Sequence, residues 1–325
     1  MKNLILLTLF SSACAFFSCS GDTDSTTTSQ DNEVDYDIVI DASSDNFTGV
    51  TVNIVPCTLS NGTETNCYEI VTTSAPSDHE MGPWCPSHIS DDDSAGGIWL
   101  DNGTVYDVDG EFVSNLATFY NDNTWLMYDD NGDIYITETE EDCINAANPN
   151  VGEAYQNFCV ECIPSYINDI TQTWTIPITP IALTTTYSFN SAPGATTGPS
   201  TRGVALNGIE FSAPAPVSNI LAAYTLAPFD DAGGHINVNQ GYHYHAATQD
   251  IADRHVITQT DGHAELIGYA MDGHGIYARF DENGDEPTDL DECRGHYDDI
   301  RGYHYHVDNA GNNNFINCLK GAYVL

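Results

Sequence analysis

The sequence predicts a mainly β protein: an N-terminal β region stapled by disulfides, followed by a β-rich domain duplicated about a pseudo-twofold axis. Three observations carry this. Runs such as Tyr36-Asp37-Ile38-Val39-Ile40 and Gly49-Val50-Thr51-Val52-Asn53-Ile54-Val55 alternate apolar and polar residues between Asn/Asp/Gly turns, the period of half-buried strands, while helical periodicity is weak throughout. Apart from Cys14 and Cys19, the chain has eight cysteines, 57, 67, 85, 143, 159, 162, 293 and 318, an even number that reads as a disulfide framework. Finally, the string Gly-Tyr-His-Tyr-His occurs twice, at Gly241 to His245 and at Gly302 to His306.

The N-terminus sets the compartment. Met1-Lys2-Asn3 followed by the apolar run Leu4 to Phe17 has the form of a signal peptide and is short for a membrane span. The run ends Phe16-Phe17-Ser18-Cys19, a bacterial lipoprotein processing box in which Cys19 carries the lipid; Cys14 fits less well, having Ser11 three positions before it. Residues 1–18 are thus assigned to the leader and 19–34 to an acidic Ser/Thr tether too polar to fold. The protein is expected to be exported and held at the outer membrane or cell surface by lipid alone.

Charge narrows the partners. Aspartate and glutamate number 48 against 7 lysines and arginines, a formal charge of −41, which disfavours nucleic acid and anionic membrane surfaces. No lysine or arginine lies between Lys2 and Arg202, so ion pairs to Lys or Arg cannot hold that half together. Such a chain suits a saline exterior or bound cations.

Residues 35–174 form the Cys-containing β-rich region. Asp129-Asp130-Asn131-Gly132-Asp133 before Ile134-Tyr135-Ile136 signals a hairpin turn; its acids also have calcium-loop spacing, with Glu140 at the twelfth position, but Ile134 stands where such a loop needs glycine. Asp281-Glu282-Asn283-Gly284-Asp285 reads the same way. The six cysteines here allow fifteen pairings, and Cys159-Val160-Glu161-Cys162 lacks the second pair a zinc site requires. Asp78-His79-Glu80 to His88 could add metal ligands, but reads more simply as a stapled loop with solvated histidines. Only Cys143 to Val151 suggests a short helix. Residues 191 to 201 are turn-rich and form the entry to the repeats.

The repeats extend beyond the pentapeptide, over residues 203–245 and 268–306. Gly203-Val204-Ala205-Leu206-Asn207-Gly208 matches Gly268-Tyr269-Ala270-Met271-Asp272-Gly273, and Phe229 to His235 matches Leu290 to His296. His235 precedes Gly241 by six residues, and His296 precedes Gly302 by six. On a strand, alternate side chains share a face, so His243 and His245 go together, as do His304 and His306, with the tyrosines opposite. Each half therefore offers three imidazoles, and His235, His243, His245, His296, His304 and His306 are the candidate ligands of a transition metal, zinc or copper. Asp230, Asp291, His274, Tyr244 and Tyr305 are possible additions. Whether the halves make one site or two is open. Cys293 and Cys318 are the only cysteines of the C-terminal half, and the first repeat lacks both counterparts, so these two are paired.

These strings, with Asp272-Gly273-His274-Gly275-Ile276-Tyr277 and Leu290-Asp291-Glu292-Cys293-Arg294-Gly295-His296, resemble the YHYH domain family over residues 175–325. Ala232 stands where that family has cysteine, and His274 where it commonly has an apolar residue. The resemblance implies an exported bacterial domain but assigns no reaction.

Three functions fit: a surface lipoprotein that binds a transition metal; a metal-dependent enzyme, hydrolytic or copper-oxidative, with Tyr244 or Tyr305 nearby; and a structural or adhesive module whose histidines hydrogen-bond to carboxylates. No nucleophile motif and no phosphate-cradling glycine loop occurs.

Overall fold

In the computed structural model, which describes residues 47, 49–167, 170–189, 198–254 and 256–325, the alternation beginning at Val50 becomes a strand. The leader, the tether with Cys19, the strand expected at Tyr36–Ile40 and most of the 191–201 linker lie outside the described residues. Strands β1 (Thr51–Thr58) and β2 (Glu64–Thr72) pair antiparallel from Thr51 opposite Val71 to Thr58 opposite Glu64, and Cys57–Cys67 bridges them. A second hairpin, β3 (Ile98–Asp101) and β4 (Thr104–Asp107), lies beyond the loop carrying Trp84 and Cys85. The Asp129–Asp133 segment is a turn: the Asp129 carboxylate accepts from the Asn131 and Asp133 amides at 2.8 and 3.0 Å, and Tyr128 bridges to Ile134.

Helices are short. Next come α1 (Gly110–Ser114), α2 (Leu116–Phe119) and α3 (Glu140–Ala146), the last being the helix expected near Cys143. Thr139 caps α3 by accepting from the Asp142 amide, and Glu140, Glu141 and Asp142 oppose the positive end of its dipole. The other short helices run against the sequence expectation. None exceeds two turns, too short to leave a 3.6-residue period in the sequence.

Strand β5 (Gln172–Pro177) completes a three-stranded sheet on β2, and β6 (Ala182–Ser188) follows. The repeats then give β7 (Gly203–Ala205), β8 (Glu210–Phe211), α4 (Val217–Ala222), β9 (Gly234–Asn237), β10 (Gly241–Tyr244), α5 (Gln249–Arg254), β11 (Leu266–Ala270), β12 (Gly275–Tyr277), β13 (Gly295–Asp298), β14 (Gly302–His306) and β15 (Cys318–Gly321). Strand β15 pairs with β6, and eight of the rest form one sheet in the order β13-β14-β12-β11-β7-β8-β10-β9.

That order reads the same from either edge. The edge hairpins are antiparallel, β10 runs parallel to β8 as β14 does to β12, and β7 and β11 meet antiparallel at the centre. The two Tyr-His-Tyr-His strands consequently lie three strands either side of that central pair's midline, at opposite ends of one sheet.

Tyr242, Tyr244 and Tyr305 are buried with Phe211, Ile236, Ile276 and Phe315, and Trp84 from the N-terminal region joins them. Each such side chain contributes about 1.5–3 kcal/mol by leaving water. A second cluster gathers Trp99, Leu100, Leu226 and Phe229, with β-bridges from Ile98 to Phe229 and from Cys159 to Leu226 tying the region before residue 174 to the one after. Disulfides Cys85–Cys159 and Cys143–Cys162 send the two cysteines of the Cys-x-x-Cys segment to different partners, and Cys293–Cys318 forms as expected. No described helix is long and apolar enough to cross a membrane.

Candidate metal centres

The edge hairpins explain the spacing of the histidines. In the antiparallel register His235 stands directly opposite His243, and His296 opposite His304, so each Gly-His faces the first histidine of its own Tyr-His-Tyr-His. The preceding glycine makes room on the other face: a Cβ on Gly234 would strike the ring of Tyr242, and one on Gly295 the ring of Tyr303. Asp230 and Asp291 set the turn before each Gly-His. Asp230 accepts from the Gly234 amide at 3.0 Å, and Asp291 from the Cys293 and Gly295 amides at 2.9 and 3.1 Å.

The two halves make two separate clusters. In the C-terminal one, His263, His296, His304 and His306 bring their ring nitrogens within 4.8 Å of one another. The Nε2 of His304 lies 3.0 Å from that of His263 and 3.0 Å from that of His296, and the Nε2 atoms of His296 and His306 are 3.2 Å apart. Every Nδ1 is engaged elsewhere. His263 donates to the Ala264 carbonyl at 2.9 Å, His304 to Gly302 at 3.0 Å, His306 to Ala278 at 2.9 Å and His296 to the Asp289 carboxylate at 2.8 Å.

This pattern fixes the tautomer. Carbonyl and carboxylate oxygens only accept, so each neutral ring carries its proton on Nδ1 and presents a bare Nε2 lone pair to the centre. Lone pairs at such distances cannot hydrogen-bond to one another. A cation bonded at about 2.0–2.1 Å to each of four nitrogens would space them by about 3.3 Å, so the cluster could hold a metal ion. Burial lowers the pKa of His304 to about 4 and of His306 to about 3, and also lowers that of His263, so these rings stay deprotonated as metal ligands must.

In the N-terminal cluster His235, His243 and His245 have ring centroids 4.8 to 5.0 Å apart. His243 Nδ1 bonds the Gly241 carbonyl at 3.0 Å and His245 Nδ1 that of Ala213 at 2.6 Å, while His235 bonds Pro228. Burial pushes His235 down to about 3 and lowers His243 and His245 as well. No fourth histidine joins among the described residues. His263 precedes Gly268 by five residues, and the same offset from Gly203 falls on Gly198.

The six histidines predicted from the repeats thus divide three and three, and the structure adds His263. The further candidates are placed elsewhere. Tyr242 donates to both Asp230 oxygens at 2.8 Å, and Tyr303 to both Asp291 oxygens at 3.1 and 3.0 Å. Tyr305 donates to Asp272 at 2.6 Å, and the Tyr244 hydroxyl accepts from the Asn207 amide at 2.8 Å. His274 lies 3.1 Å from Asp272 and packs edge-on against Tyr303 and Tyr305. Asp230, Asp291, His274, Tyr244 and Tyr305 therefore build a hydrogen-bonded layer on the sheet face away from the imidazole clusters. Burial raises the Asp230 carboxyl to about 6. It also pushes Asp272 upward, but His274, Tyr305 and the Gly321 amide outweigh it and hold that carboxyl low.

His79 corrects the sequence expectation of a solvated loop. Its side chain is 1% exposed, bonds Asp78 at 2.9 Å and lies against Tyr242 and Tyr244, where His274 lies against Tyr303 and Tyr305. Asn207 occupies the place of Asp272, and Asp78 supplies the missing carboxylate by accepting from the Asn207 amide at 3.1 Å. His88 instead bonds Ser90 and the Asn131 carbonyl at the turn.

Comparison with known proteins finds no match among curated proteins or solved structures. The model of the YHYH protein family matches residues 173–289, a span that holds the three-histidine cluster and His263 and stops before His296. The C-terminal half of this chain carries a YHYH domain.

Proposed function

We propose that this is an exported, lipid-anchored protein that binds a transition metal, zinc or copper, at two centres of a duplicated domain. One centre is His263, His296, His304 and His306; the other is His235, His243 and His245. The observation that carries the reading is the convergence of Nε2 atoms at 3.0 to 3.2 Å from rings whose Nδ1 atoms are all committed to acceptors. Outer-shell carbonyls and carboxylates of this kind orient metal-bound imidazoles and fix their tautomer. Four disulfides are consistent with an oxidising compartment, and Cys19 is the residue proposed to carry the lipid.

Elemental analysis of the purified protein after zinc or copper loading and gel filtration tests the proposal. Two equivalents are expected, one after His304→Ala or His243→Ala, and none in the double variant. A wild-type protein without stoichiometric metal would overturn it.

A further inference from the structure

The two centres face different surroundings. All three histidines of the His235 centre line a cavity of about 290 Å³ whose walls include Trp84, Pro214, Ile220, Ile236, Asn148 and Gln240. Among the described residues, no Asp, Glu, Lys or Arg lines it. The four-histidine centre opens instead, through His263 and His306, onto a cavity of about 690 Å³ walled by carboxylates that include Asp261, Glu282, Asp285, Glu286 and Asp298. Four imidazoles fill a tetrahedral shell, whereas three leave a position for an outside ligand. In sequence, the residue at the offset of His263 is Gly198, which has no side chain to coordinate.

We infer that the His235 centre, once it holds its metal, takes its fourth ligand from a small organic molecule: a monoanion such as a carboxylate or hydroxamate, carrying a neutral and largely apolar body. The anionic group meets the metal. The body meets Trp84, Ile236 and the prolines, with Asn148 and Gln240 as its polar partners. The cavity is at the small end of the range for ligand sites, suited to about ten non-hydrogen atoms. The acidic mouth of the other centre repels the same anion and admits only the cation.

This rests on the metal reading above, and one titration separates the two. Cobalt(II) is loaded into a variant lacking the four-histidine centre, His296→Ala with His304→Ala, and its visible d–d spectrum is followed as benzohydroxamate or benzoate is added. A saturable change is expected. It should be absent from cobalt-loaded His243→Ala protein, and weakened at least tenfold by Ala147→Phe, which fills the cavity from its wall. Bound cobalt whose spectrum neither probe alters, or an equal response in His243→Ala, overturns the inference alone. Failure of the first variant to bind cobalt overturns the three-histidine centre itself, and the inference with it.

Discussion

His296 and His304 face each other across β13 and β14 with their Nε2 atoms 3.0 Å apart, while their Nδ1 atoms donate to Asp289 and to the Gly302 carbonyl. Without a cation the opposed lone pairs repel. Metal should therefore stabilise the fold by mass action, about 4 kcal/mol at a thousandfold excess over Kd. Chelator treatment is expected to lower the thermal midpoint by several degrees and zinc to restore it, as read by calorimetry. Identical melts with and without chelator would count against both centres.

Acid should destabilise the metal-free protein well above the range of ordinary carboxylates. Burial holds His304 at about 4 and His235 and His306 at about 3, whereas unfolded histidine titrates near pH 6.5. The unfolded chain thus takes up protons first as pH falls, and stability is lost from about pH 6.5 downward until the folded-state values are reached. Asp230, raised to about 6, and Glu161, also raised by burial, act in the opposite sense, but as two groups against the six lowered histidines. Denaturant midpoints of the metal-free protein should be lower at pH 5 than at pH 7; equal midpoints would contradict the burial of unprotonated rings.

Arg301 braces the loop that delivers His263. Its guanidinium bonds Asp261 at 2.5 Å and Asp298 at 2.6 Å, spanning the residues that flank His263 and the hairpin of His296. Arg301→Met should weaken metal binding at the four-histidine centre by about 10- to 100-fold, the usual effect of removing support behind a ligand. Affinity at the His235 centre should not change. Competition with a chromophoric chelator resolves the two sites.

We expect Tyr305 to act as a structural partner rather than a ligand. Its hydroxyl donates to Asp272 at 2.6 Å and accepts from the Lys320 amide at 2.7 Å, with Tyr305 and Asp272 both buried. Tyr305→Phe strands the Lys320 amide and removes one of the donors to Asp272, and should cost about 1–3 kcal/mol in urea unfolding, with two metal equivalents retained. Loss of metal would place the tyrosine in a coordination shell.

The sequence shows most plainly what recurs within it. Alternation marks the strand that begins after Gly49, the repeat offsets pair each Gly-His with its own Tyr-His-Tyr-His, and isolation of Cys293 and Cys318 in their half pairs them. What does not recur is hidden. His263 has only Gly198 at its offset in the first half, and the partner of Tyr242 and Tyr244 comes from His79, more than 160 residues away, which no local pattern reveals. Strands of two or three residues such as β8 and β12 are too short to show a period, so the sheet order that separates the two clusters emerges only from tertiary pairing.

X-ray absorption at the edge of the bound metal tests the central claim most directly. The account predicts a first shell of imidazole nitrogen at about 2.0–2.1 Å, with ring multiple scattering from three to four histidines per metal. A shell of oxygen or sulfur without imidazole scattering would contradict it.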